Sequence, residues 1–151
     1  MSNVEQKLQA MGLKLPACPA PVAAYLPVQT AGKLIYASGQ TAWVDGKLLY
    51  AGKVGGDVRV ADAYESAKLS AVNCLSAIAT VADLDQIRIV RVHGWVNGVP
   101  DFGDQPAVVN VAYELLEPLY GEHGRHARSA IGVGSLPTNA SVEIELIAEK
   151  L

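Results

Sequence analysis

The sequence predicts an α+β domain in which a single mixed β-sheet carries two helices on one face and buries its other face against further copies of the chain. Three observations carry that expectation. Segments rich in β-branched residues, above all Ile87–Asn97 and Val142–Ala148, interchange with two long stretches whose apolar residues recur every three or four positions. Turn signals such as Asp45-Gly46 and Gly121 punctuate them. The strands are apolar on both faces, and two helices can cover only one of those faces.

In chain order, a short helix is expected around Ser2–Met11, followed by an extended arm from Pro16 to Pro27 with four prolines in twelve residues. Residues 1–28 are therefore read as helix and arm attached to one domain that spans all 151 residues. Leu34–Ser38 has a strand pattern, and Gln40–Val44 can pair with Lys47–Tyr50 across Asp45-Gly46. Asp57 is a candidate N-cap for a helix running to about Val81, with Tyr64, Ala67, Ala71, Leu75 and Ile78 as its buried stripe. A second helix follows the strand Ile87–Asn97. It opens with Asp104 at the cap and Pro106 in the first turn, where the lost amide costs nothing, and Gly121 ends it. Its expected stripe is Val109, Ala112, Tyr113, Leu116 and Tyr120. Ser129–Val133 and Val142–Ala148 complete the sheet.

Composition narrows the function classes. Twelve Lys and Arg against fifteen Asp and Glu give a net charge of −3, so the basic excess that nucleic-acid binding needs is missing and no nucleic-acid partner is expected. Half the residues are hydrophobic and 18% are charged, which excludes a disordered chain. No apolar stretch approaches the ~18 residues of a membrane span, and the first residues lack the basic and apolar regions of a secretion signal. A cytoplasmic location with no membrane partner is expected, with Cys18 and Cys74 as free thiols and Cys74 in the core.

Alternation along the strands assigns faces. Ile131 and Val133 are expected toward the helices, leaving Arg128, Ala130 and Gly132 on the opposite face. Val142, Ile144, Leu146 and Ala148 are likewise expected inward, with Glu143, Glu145 and Ile147 looking away beside Ile89, Arg91, His93 and Trp95. Arg128 and Glu143 are thereby expected on one face, near a subunit interface.

Arg128-Ser129-Ala130-Ile131, Leu136-Pro137 and the run Val142–Ala148 resemble the C-terminal signature of the RidA/YjgF family, also labelled L-PSP endoribonuclease-like. Tyr36-Ala37-Ser38-Gly39-Gln40 is similar to that family's strand ending in Ser-Gly-Gln, and Asn110 with Tyr113 to its Asn-x-x-Tyr. The matches keep their order from Tyr25 to Ala148. The resemblance implies a chorismate-mutase-like fold and a homotrimer with three clefts between subunits. The N-terminal helix and the loops Gly52–Gly56 and Gly94–Gly103 look like a longer subgroup.

The resemblance also implies roles, each beside a plainer reading. Arg128 would hold the carboxylate of a small 2-imino or 2-oxo acid through its fork of donors; otherwise it is a fixed ion pair with Glu143 or Glu145. Glu143 would hold the water that attacks an imine carbon, or serve as that ion-pair partner. Ser38 and Gly39 would meet ligand at a strand end, or Ser38 simply caps a turn. Tyr25, thirteen residues before Ser38, would close the cleft or merely anchor the arm. Asn110 would bind ligand from the second helix; apart from the resemblance, His126 stands two residues before Arg128, a spacing that puts it near the cleft entrance. His93, His123 and His126 lack a convincing zinc pattern, so a site without metal or cofactor is expected. The implied activity is hydrolysis of reactive 2-imino acids, of the 2-iminobutanoate or 2-iminopropanoate kind, to 2-oxo acids and ammonia. The alternatives are a non-catalytic carboxylate-binding or regulatory protein and, against the acidic charge, an endoribonuclease.

Overall fold

The β-branched runs become strands and the periodic runs become helices in a computed structural model that describes residues 1–18, 20 and 23–151. Of the expected arm, Pro19, Pro21 and Val22 lie outside the described residues. The order is α1 (Asn3–Ala10), β1 (Val28–Ala31), β2 (Leu34–Ala37), β3 (Trp43–Val44), β4 (Lys47–Leu48), α2 (Val60–Ile78), β5 (Ile87–Asn97), α3 (Gln105–Tyr120), β6 (Ala127–Val133) and β7 (Val142–Lys150). Five strands form one mixed sheet ordered β1-β2-β7-β5-β6, in which only β5 and β6 are parallel, joined through α3. β3 and β4 form a separate hairpin, with Asp45 and Gly46 both at positive φ, the geometry of a tight two-residue turn. β1 adds a strand to those expected. It has one buried residue in four, so its own pattern is weak and pairing with β2 defines it.

Both long helices lie on the same face, α2 over β2 and β7 and α3 over β5 and β6. Small residues on α2 (Ala63, Ala67, Ala71, Cys74) let it sit close to the sheet, and the Cys74 thiol donates to the Ile144 carbonyl at 3.1 Å. Asp57 does not cap α2, contrary to expectation. The helix begins after Arg59 without a side-chain cap, while Asp57 accepts the Lys53 amide at 2.8 Å. α3 opens and closes at Asp104 and Gly121, as its caps predict. Its buried arc is Val108, Val109, Val111, Ala112, Leu115, Leu116 and Leu119; Tyr113 falls just outside that arc and is 51% exposed, a correction to the expected stripe.

Two expected face assignments are corrected. A β-bulge between Ile89 and Arg91 shifts the alternation by one residue, so Ile87 and Ile89 face the helices before it, and Val92, Gly94 and Val96 after it. Ile89 is therefore buried rather than turned away. On β6 the order is the reverse of the expected one. Ala130 packs against the core, a Cβ on Gly132 would come within 2.8 Å of Gln105 on α3, and Ile131 is 46% exposed. Close approach of α3 demands small residues beneath it, so the small side chains of β6 face the helix and the large one does not. The opposite face presents Tyr36, Arg91, His93, Trp95, Ile131, Glu143, Glu145 and Ile147 to the outside of the chain. Among the described residues, no helix is long and apolar enough to cross a membrane.

Candidate functional site

The reversed orientation of β6 puts Arg128, its second residue and the partner of Val92, on the helix side beside α3. Its Nη1 donates to Asn110 Oδ1 at 2.7 Å. Both border an open groove of about 470 Å³, completed by Tyr113, Arg125 and His126. Arg125 is neutralised by Glu117 at 3.3 Å and Glu122 at 3.4 Å, whereas Arg128 has no carboxylate within ion-pair reach among the described residues. A neutral amide thus orients this guanidinium and leaves its charge for an incoming anion. His126 Nδ1 donates to the Gly124 carbonyl at 2.7 Å, which leaves Nε2 as the ring's acceptor. Burial and, secondarily, the Arg128 charge hold the imidazole below its ordinary range.

A second group gathers where β2 ends. The Glu143 carboxylate lies against Gly39, so closely that a Cβ there would be 2.8 Å from Oε2. The missing side chain is the space the carboxylate occupies. Burial, then the neighbouring Glu145, push Glu143 above the usual carboxylate range and make it a better proton acceptor. Ser38 turns its hydroxyl to the Leu26 carbonyl at 2.6 Å and its amide to the Pro27 carbonyl at 2.9 Å, so it ties the arm to the strand end. That arm holds Tyr25, which is 49% exposed. Trp95, opposite Glu143 on β5, stacks on His93 with ring centroids 4.3 Å apart, and His93 Nδ1 is 3.7 Å from Glu145. Among the described residues, no three His, Cys, Asp or Glu side chains converge on a possible metal position.

Residues 5–150 match the family described as "YjgF/chorismate mutase-like, putative endoribonuclease". The chain belongs to the YjgF family. Protein TCP17 of Trypanosoma cruzi is 36% identical over 97% of this chain and 94% of its own length. A crystal structure of an Agrobacterium tumefaciens protein of unknown function is 43% identical, with a TM-score of 0.91 over 99% of this chain and 93% of that one. A Shewanella oneidensis structure described as a putative endoribonuclease is 31% identical, with a TM-score of 0.92 over 98% and 99%.

Within this YjgF-family chain, the candidate residues fall into two sets. Arg128, Asn110 and His126 meet at the α3–β6 groove; Glu143, Gly39, Ser38 and Tyr25 gather at the end of β2. Arg128 and Glu143 are on opposite faces with β5 between them, which corrects the expected shared face and leaves the alternative reading of Arg128, a fixed ion pair with Glu143 or Glu145, without support. Tyr113 and Arg125 belong to the groove and had no assigned place in it. Tyr113 was legible, since it stands three residues from Asn110 and so on the same side of the helix.

Proposed function

We propose that the chain hydrolyses small 2-imino acids to 2-oxo acids and ammonia in clefts completed between subunits of a homotrimer of about 48 kDa, three times the chain mass of 15.9 kDa. The observation that carries the reading is Arg128: an uncompensated guanidinium, oriented by an amide, at the wall of an open groove. The Glu143 set complements it chemically, with a basic carboxylate and no cation. Each set is incomplete alone, and facing surfaces of two copies would supply both. Two further features favour association: exposed Tyr36 and Ile131 beside half-buried Trp95 and Ile147 on the uncovered face, and an outer edge of β6 that pairs with no strand among the described residues.

In this reading Arg128 binds the substrate carboxylate and Glu143 of a neighbouring copy accepts a proton from water as its oxygen bonds to the imine carbon. The C=N electron pair passes to nitrogen, which takes the proton back from Glu143 to give the carbinolamine; Glu143 then moves the hydroxyl proton to the amine, the C–N bond breaks, ammonia leaves and the C=O bond forms. Such imines hydrolyse unaided, so positioning supplies much of the acceleration. The test generates imine in situ with an amino-acid oxidase and follows 2-oxo acid release. Arg128→Ala is expected to lower kcat/KM about 10- to 100-fold, the loss of charge-assisted hydrogen bonds. No acceleration by the folded, assembled protein rejects the reaction; 2-oxo acid binding without acceleration favours a carboxylate-binding protein instead.

A further inference from the structure

His126 shares the groove wall with Arg128 and Asn110. Its orientation is fixed from below. Gly124, whose carbonyl takes the Nδ1 proton, packs so tightly under α3 that an added Cβ would overlap the Leu116 carbonyl oxygen, so that turn has no room to shift. Protonation of the ring can therefore occur only at Nε2.

The charges around His126 can be followed element by element. From β5, Arg88 is paired with Glu149 of β7 at 2.5 Å. In the turn before β6, Arg125 is held by Glu122 and by Glu117 of α3, and His123 is exposed. α3 adds Tyr113, whose phenol is pushed up by its hydrogen bond to Glu117 and stays neutral. β6 adds Arg128, the one cation of this set with no carboxylate partner among the described residues. We propose that His126 is the second cation of an anion clamp centred on Arg128, taking up a proton at Nε2 when a monocarboxylate enters the groove. The inference rests on the carboxylate-site reading above and adds a proton to it.

The physical step is the removal of a repulsion. In the free protein, burial and Arg128 both disfavour the imidazolium. A bound carboxylate cancels the Arg128 charge and places an anion near Nε2, and an opposite charge at ~4–6 Å raises a pKa by about one to three units. By reciprocity, a ligand that raises the His126 pKa binds more tightly as pH falls through that range.

The probe is 2-oxobutanoate. His126 Cε1 is titrated by NMR with and without saturating ligand, its resonance assigned by its loss in His126→Gln. Calorimetry on the unmodified protein in two buffers of different ionisation enthalpy measures proton uptake independently of any variant. Expected are a midpoint raised by about one unit or more, net proton uptake near neutrality, and a Kd about three- to ten-fold lower at pH 6 than at pH 8 that becomes flat in His126→Gln. An unchanged midpoint with ligand bound, or full pH dependence retained in His126→Gln, overturns the proton-linked clamp alone. No 2-oxobutanoate binding at either pH overturns the carboxylate site and the clamp together.

Discussion

Gly94→Ala tests how the fold seats α3, and with it the groove. A Cβ at position 94 would lie 2.7 and 2.8 Å from the two Cγ atoms of Val109 and 3.3 Å from Ile144 Cδ1. Carbon atoms rest at about 3.5–4.0 Å, so roughly 1 Å must open between β5 and α3. Val109 cannot turn aside cheaply, because it is fully buried and a β-branched side chain on a helix has essentially one rotamer. Overpacking of this kind costs about 1–3 kcal/mol, and replacing a strand glycine returns roughly 0.5–1 kcal/mol, so a net loss of about 1–2 kcal/mol is expected. Urea unfolding at one fixed protein concentration measures it. Val109→Ala removes the obstructing methyls, so the double variant should be more stable than the summed single effects by about 1 kcal/mol or more. Strict additivity, or a Gly94→Ala protein as stable as the unmodified one, would refute the reasoning. Asn110 follows Val109 in α3, so the same shift should lengthen its contact with Arg128 and weaken 2-oxobutanoate binding.

Gly39→Ala should behave in the opposite way: the clash is with the mobile end of Glu143, so stability should change by less than about 0.5 kcal/mol while 2-oxo acid release falls about tenfold or more as the carboxylate is displaced. Glu143→Gln is expected to raise the melting temperature at pH 7. Because the folded-state pKa of Glu143 is raised, its ionisation costs stability as pH climbs from the ordinary carboxylate range through the raised one, and the advantage of Gln should fade as pH falls below both; an advantage that persists there contradicts the sign. Ile131→Asp places a charge on the exposed face of β6 without touching the core and should reduce the assembly to about 16 kDa in sedimentation equilibrium; an unchanged trimer would move the interface elsewhere.

Where local chemistry decides structure, the sequence was sufficient. Ile87–Asn97 has the strand bounds its β-branched run implies, Asp104 and Gly121 bracket α3, and the positive-φ preference of Asp45-Gly46 closes the hairpin. The failures are of another kind. The bulge after Ile89 adds a residue to a strand whose composition does not announce it, and the face expected for Ile89, just before it, reverses. Asp57 was a sound cap by type and spacing, but the Lys53 amide claims its carboxylate. The site residues were found as types, through Arg128, Asn110, Gly39 and Glu143, while their grouping was not. Grouping depends on which face β6 turns to α3, and that follows from helix–sheet distance rather than from hydrophobicity along the strand.

That distance explains why the charge at Arg128 remains available. Gly94, Ala130 and Gly132 lie beneath α3, and the helix descends onto them; even-numbered residues of β6 must then face it, so Arg128 comes up against Asn110 at the helix flank instead of against Glu143 across the sheet. Of the five arginines, Arg59, Arg88 and Arg125 take carboxylates and Arg91 bonds Ser129 Oγ at 2.6 Å. Among the described residues, no carboxylate forms an ion pair with Arg128, which takes an amide oxygen instead. An aspartate at position 110 would orient the guanidinium equally well and cancel its charge. Asparagine orients it without cancelling it, which is the arrangement a site for an arriving carboxylate requires.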